Sequence, residues 1–169
     1  MTPLQTELCF PSAYHCARAG QRLGKHLCAG DVLALSGPLG VGKTVFAKGV
    51  ALGAGVPHAT REVASASFIL QNAHQGRLEF QHWDWYRIGA VDELNEVGWG
   101  AACASEAALF VEWADLYPEA VPEDSLWIEL SYVESNEKGN HARRAVARAT
   151  GPRSARLLKE WSEHESTGI

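Results

Sequence analysis

The chain has 169 residues, 46% of them hydrophobic, enough to supply the core of one ordinary domain spanning residues 1–169. Its formal net charge of −5 argues against a surface devoted to nucleic acid. Four scattered cysteines and seven histidines form neither Cys-x-x-Cys nor His-Glu-x-x-His, which excludes a zinc ribbon, a redox dithiol and a zincin site, and the absence of a leader-like N-terminus or a bilayer-length apolar run sets the expectation of a cytoplasmic protein with no membrane segment.

In chain order, Leu4 to Phe10 reads as a first strand. Ser12 is placed as an N-cap, and Cys16, Gly20, Leu23 and Leu27 recur at helical steps until Gly30. Val32 to Leu35 is a short apolar run of the kind a buried parallel strand needs. Val45, Phe46, Val50 and Ala51 mark one face of a second helix that ends between Gly53 and Pro57. Residues 65–87 read as two strands joined near His74 to Arg77, with Gln75-Gly76 in the turn. A helix is expected from about Asp92 through Glu96, and an apolar strand from Ala107 to Val111. Leu126 to Val133 and Ala142 to Ala149 alternate as half-exposed strands, and Ser154 to Trp161 reads as a closing helix within a C-terminal stretch of residues 150–169. Strands and helices intermixed in this way predict an α/β layered fold of P-loop NTPase type, with a mixed central sheet flanked by helices.

Between the second strand and the second helix stands GPLGVGKT, residues 37–44, a P-loop with the spacing Gly-x-x-x-x-Gly-Lys-Thr. Gly37, Gly40 and Gly42 permit backbone turns that a Cβ would forbid. The N–H groups of Leu39, Gly40, Val41 and Gly42 can then curl around phosphate as a nest. Lys43 is expected to reach the phosphate oxygens and the Thr44 hydroxyl to bind Mg²⁺, with the helix N-terminus adding positive potential.

A phosphate cradle hydrolyses nothing without groups that serve metal and water. Glu112 ends the apolar run Ala108-Leu109-Phe110-Val111, where an acid can reach Mg²⁺ at the carboxyl edge of a sheet. The bland alternative for it is an acid on a strand-end turn. Asp84 lies in His82-Trp83-Asp84-Trp85-Tyr86-Arg87; on a regular strand His82, Asp84 and Tyr86 share one face, and Trp83, Trp85 and Arg87 the other. Alternation alone leaves open whether this is a site or a polar row beside an aromatic core row. Trp83 and Trp85 are expected in the core, and Trp113 near the nucleotide.

The ordered set GPLGVGKT, Ser65-Ala66-Ser67-Phe68, HWDWYR and LFVEW resembles the TsaE (YjeE-like) family, from about Leu8 to Leu158. The resemblance implies a small bacterial cytoplasmic ATPase that takes part in making N6-threonylcarbamoyladenosine in tRNA. Such proteins act with TsaD and TsaB, with the transfer chemistry belonging to TsaD and any tRNA contact indirect. ATP and Mg²⁺ are the implied cofactors, and neither DNA nor membrane is an implied partner. Carried over by residue, the P-loop and Lys43 bind phosphates, Thr44 and Glu112 serve Mg²⁺, and Asp84 serves hydrolysis or the metal. The Ser65 to Phe68 stretch, Ser67 included, matches the family's switch-like loop near the γ-phosphate. The chain departs from the family's usual Ser-Pro-Thr with Ser65-Ala66-Ser67, which leaves that loop freer before binding, and Pro38 replaces a residue that is usually polar.

Two rival readings remain at this stage: a small-molecule kinase, for which Arg61 and Arg77 are conceivable lid residues, and a binding module gated by ATP. The cations Arg143, Arg144, Arg148, Arg153, Arg156 and Lys159 suggest either a tRNA-phosphate contact or, more simply, a solvated edge strand and helix.

Overall fold

The computed structural model describes residues 4–63, 70–133 and 142–166. Their strands are β1 (Gln5–Phe10), β2 (Val32–Ser36), β3 (Gln71–Gln75), β4 (Glu79–Asp84), β5 (Ala108–Glu112), β6 (Leu126–Tyr132) and β7 (Arg143–Ala149). The helices are α1 (Ala13–Lys25), α2 (Lys43–Gly53), α3 (Ala59–Glu62), α4 (Val91–Glu96), α5 (Trp99–Ala104) and α6 (Pro152–Ser166). The strands form one sheet in the order β1-β7-β6-β2-β5-β4-β3. Parallel pairing joins β6, β2, β5 and β4, while β1–β7, β6–β7 and β3–β4 are antiparallel. The expected mixed α/β sheet is therefore the one found.

Period-2 alternation divides the core between the two faces of this sheet. Leu33 and Leu35 of β2, Phe80 of β4 and Phe110 of β5 pack with α1, α2 and α6 on one face. Val32, Ala34, Trp83, Leu109 and Val111 pack on the other face with Trp85, Leu94 of α4 and Trp99 of α5. Trp99 meets the Trp83 and Trp85 rings edge-on, with centroids 5.1 and 5.0 Å apart. Trp83 of β4 and Trp85 just beyond it are thus core residues, as expected. α3 and α5 have no counterpart in the sequence reading: α3 spans only four residues, too short to display helical periodicity, and α5 starts after Gly98 without the first-turn acids that mark α4.

α1 begins at Ser12, whose hydroxyl accepts from the His15 N–H. Its last carbonyls are capped from a distance: the Arg77 guanidinium donates to Gly24, Lys25 and Leu27 oxygens at 2.9–3.2 Å. That use of Arg77 removes it from any substrate lid. α1 crosses α2 at close range because Gly20 and Gly24 face Gly49 and Gly53. A Cβ at Gly24 would collide with the Val50 carbonyl, and one at Gly49 with the Ala17 carbonyl. This tight crossing fixes the helix that carries Lys43 and Thr44.

β7 is an interior strand, which corrects the expectation of an edge. Alternation reports which face of a strand is buried, not whether it has a neighbour on each side. β1 pairs along it from Gln5↔Arg148 to Phe10↔Arg143 and takes the edge position. Much of the basic stretch is engaged within the fold. Arg144 pairs with Glu7 at 2.6 Å, Arg156 with Asp31 and Glu160 at 2.7 Å each, and Arg153 donates to the Ala29 carbonyl.

Candidate functional site

Register brings the site together. β2, β5 and β4 run parallel, with Leu35 opposite Glu112 and Asp84 opposite Glu112. Their carboxyl ends therefore place the start of the P-loop, Glu112 and Asp84 along one edge of the sheet, where such folds bind ligands. The cleft there has a volume of about 430 Å³ and is lined by Leu39, Gly40, Gly42, Lys43, Thr44, Val45, Asp84, Tyr86, Arg87, Glu112 and Trp113.

The loop adopts the backbone its glycines permit: φ is 145° at Gly37, 79° at Gly40 and 113° at Gly42. Gly42 is the N-cap of α2 and can offer no side chain, and the first turn carries no acid. The N-terminal N–H groups and the positive end of α2 are thus left for an anion. Lys43 folds back, donating from Nζ to the Gly37 and Pro38 carbonyls at 2.7 and 2.9 Å, and its ammonium lies 3.9 Å from the centre of the Trp113 ring. Burial lowers its pKa, against the opposing pull of Glu112, Asp115 and Asp84.

Two further contacts tie the outer side of the loop to the sheet. The Tyr132 hydroxyl donates to the Gly40 carbonyl at 2.6 Å, and Arg143 Nε donates to the Val41 carbonyl at 3.0 Å. The guanidinium of Arg143 also stands 5.7 Å over the Tyr132 ring. Carbonyls held outward leave the adjoining N–H groups free to turn into the cleft. Sequence reasoning missed both residues, which lie some ninety residues or more from the loop they hold.

Glu112 is 2% exposed. The Thr44 hydroxyl donates to its Oε1 at 3.1 Å, and His82 Nε2 shares the same oxygen at 2.9 Å. A hydroxyl and a carboxylate in contact form a hard oxygen pair suited to Mg²⁺, an ion that takes one or two protein ligands and fills its shell with phosphate and water. Among the described residues no group of three or more His, Cys, Asp or Glu could hold a metal alone, so this pair would act with phosphate oxygens. The residues present fit such an ion. Asp84 stands beside them with its carboxyl pKa raised, chiefly by burial and further by Glu112, while a hydrogen bond from the Tyr86 N–H opposes the shift.

That hydrogen bond, 2.9 Å to Asp84 Oδ1, corrects the reading of the motif. The strand ends at Asp84 and the Asp side chain receives the backbone two residues on, a local turn that competes with further strand. Tyr86 and Arg87 are consequently not continuations of two strand faces. Both line the cleft, and the Tyr86 ring lies 4.8 Å from that of Trp113. Arg87, assigned by regular alternation to the face opposite Asp84, joins Asp84 in the same cleft. The signal was in the sequence, as an Asp two residues before Tyr86. Trp113 itself has φ 61°, a left-handed conformation rare for a large residue, which turns its ring from the end of β5 over Lys43.

Of the remaining site candidates, Gly37 is outside the cleft lining and offers its carbonyl to Lys43, and Val41 is fully buried in the core. Ser67, with the rest of the Ser65 to Phe68 stretch, lies outside the described residues.

Fold and cleft together define an α/β protein of P-loop type. The family model described as "Threonylcarbamoyl adenosine biosynthesis protein TsaE" matches residues 10–144, and the chain belongs to that family. It is 34% identical over 127 residues to the tRNA threonylcarbamoyladenosine biosynthesis protein TsaE of Treponema pallidum, covering 75% of this chain and 92% of that one. It is 36% identical over 138 residues to the protein of the same description from Bacillus subtilis, covering 81% of each. The crystal structure of Bacillus subtilis YdiB superposes with a TM-score of 0.75 at 26% identity, over 98% of this chain and 99% of that one.

Proposed function

We propose that this chain binds ATP with Mg²⁺ in the cleft and hydrolyses it to ADP and phosphate. In this reading it supports the TsaB–TsaD pair in N6-threonylcarbamoyladenosine modification of tRNA in the cytoplasm. The observation that carries the proposal is the convergence of Lys43, Thr44, Asp84 and Glu112 on one cleft at the mouth of an uncapped helix. Family membership directs that chemistry to tRNA modification.

Lys43 exchanges the Gly37 and Pro38 carbonyls for phosphate oxygens. Thr44 and Glu112 present their oxygens to the cation, with His82 holding the carboxylate in place. When bound, Mg²⁺ supplies charge compensation for the phosphates. Asp84, with its raised pKa, is placed to orient an attacking water and take up its proton. Arg87 brings a cation to the same cleft from an exposed turn, where a partner's surface can press it toward the phosphates. Slow turnover by the isolated chain follows from that exposure, because a cation screened by solvent stabilises a transition state less than one in a water-excluded site. Among the described residues no helix is long and apolar enough to cross a membrane.

A phosphate-release assay with ATP and Mg²⁺, with and without the purified TsaB–TsaD pair of the same organism, tests the proposal. Clear stimulation by the pair is expected, together with lower threonylcarbamoyladenosine in bulk tRNA when the chain is depleted. Fast turnover indifferent to the pair would overturn it.

A further inference from the structure

Behind the P-loop, α1 and α2 leave a groove of about 370 Å³ with mostly apolar walls. It arises from the glycine crossing. Gly49 lets α2 sit directly on the backbone of Ala17, and these two small residues line the groove together with longer side chains of both helices. On α1 the groove is edged by Tyr14 and Arg18, and on α2 by Val45, Lys48 and Leu52, at helical steps of three and four. Tyr14 is 66% exposed and Leu52 42%. Exposed apolar groups gathered in a groove and rimmed by charge mark interaction surfaces.

We propose that this groove is a docking site for a protein segment that presents apolar side chains flanked by carboxylates, and that its occupancy is felt in the nucleotide cleft. The inference rests on the partner-dependent reading above. Charge selects the occupant. The two groups lining the groove that are charged at neutral pH, Arg18 and Lys48, are both cationic, on a chain whose net charge is −5. A second copy docked through the same face is disfavoured, because a two-fold interface sets the patch against itself and brings these cations together. An acidic, apolar segment satisfies both the walls and the rim.

The link to the cleft is Val45, which lines both the groove and the nucleotide site. It directly follows Lys43 and Thr44 in the first turn of α2. A segment seated against Val45 and Leu52 bears on the helix that positions those two residues. Partner binding and nucleotide binding then share one element, and whatever factor one alters in the other's affinity is returned in full.

The test uses the purified TsaB–TsaD pair of the same organism as probe, with wild-type chain, Leu52→Glu, and the double variant Arg18→Glu/Lys48→Glu. All three substituted positions lie outside the nucleotide cleft, so unchanged ADP affinity serves as the check of folding. Leu52→Glu and the double variant should each bind the pair at least roughly tenfold more weakly, as the loss of an apolar anchor and the reversal of two rim charges require. The double variant should also lose the salt dependence of binding. Wild-type affinity in both variants overturns the groove while leaving the partner reading intact. Failure of the wild-type chain itself to bind the pair overturns both. Binding of the wild-type chain to vesicles of phosphatidylglycerol and phosphatidylcholine, lost in the double variant, overturns the protein occupant in favour of a lipid surface. Self-association lost in Leu52→Glu overturns it in favour of a second copy.

Discussion

Consider the double variant Tyr132→Phe/Arg143→Gln, which cuts both ties between the P-loop and the β6–β7 strands while leaving every group that lines the cleft in place. The Tyr132 hydroxyl holds Gly40 and Arg143 Nε holds Val41, neighbouring carbonyls of one loop, at 2.6 and 3.0 Å. A net hydrogen bond contributes about 0.5–1.5 kcal/mol, and Tyr132 is exposed enough that its bond belongs to the lower half of that range. Arg143 is a charged donor, which raises its contribution, but it too is partly exposed, so about 1 kcal/mol is reasonable. The two together restrain the loop by about 1.5–2 kcal/mol. Loss of that restraint appears in binding, because the nucleotide must then order a loop that the fold no longer holds. ADP affinity should fall roughly tenfold to thirtyfold, with each single variant giving less. The singles should not sum to the double, since either tie alone still restrains the same few residues. Isothermal titration with ADP on the four proteins, beside thermal melts, makes the measurement. A double variant that binds ADP as the wild type does would refute the idea that these contacts pre-organise the loop.

Lys43→Ala should weaken ATP binding by more than tenfold, since a charge-assisted contact contributes about 1.5–3 kcal/mol, while the melting temperature changes little because a partly desolvated ammonium is removed along with its two carbonyl bonds; unchanged affinity in a folded variant would remove Lys43 from the site. Glu112→Ala and Arg87→Ala should both retain ADP binding and lose phosphate release with the TsaB–TsaD pair present, Arg87→Ala by tenfold or more on the order of one lost charge-assisted bond; full stimulated turnover in either would exclude that residue from the chemistry. Asp84→Asn should abolish hydrolysis yet stabilise the fold at neutral pH. Burial raises the Asp84 pKa, so the folded chain holds this proton more tightly than the unfolded one, and stability is lost as pH rises from the ordinary aspartate range through the raised folded value. Asn has no such titration and its oxygen can still accept the Tyr86 N–H, so the gain in melting temperature should be present at pH 7.5 and vanish below about pH 4; a gain that is the same at both pH values would contradict the assignment.

The local features of this protein were legible in its sequence because their causes are local. The P-loop glycines sit at positive φ because residues lacking a Cβ are placed where the turn demands it. The α1 cap at Ser12, the alternation of β6 and β7, and the apolar run of β5 ending at Glu112 follow from residue type at fixed spacing. The ordered motifs, spread over most of the chain, carried the family as well. What only the tertiary structure decided depends on chain segments remote in sequence. Strand order placed β1 against β7 and so moved β7 off the edge, a fact that alternation cannot encode. Register put Asp84 and Glu112 side by side across β4 and β5. A single side-chain bond within the HWDWYR motif ended β4 at Asp84 and left Arg87 lining the same cleft as the carboxylates, where a regular strand would have sent it to the opposite face. Arg77, a conceivable lid residue by composition, caps α1 because folding brings it to the carbonyls of a helix some fifty residues earlier. Periodicity reports how one segment divides between two environments; which partner fills each environment is settled by long-range packing, and that is where the supports of this site, His82, Tyr132 and Arg143, are found.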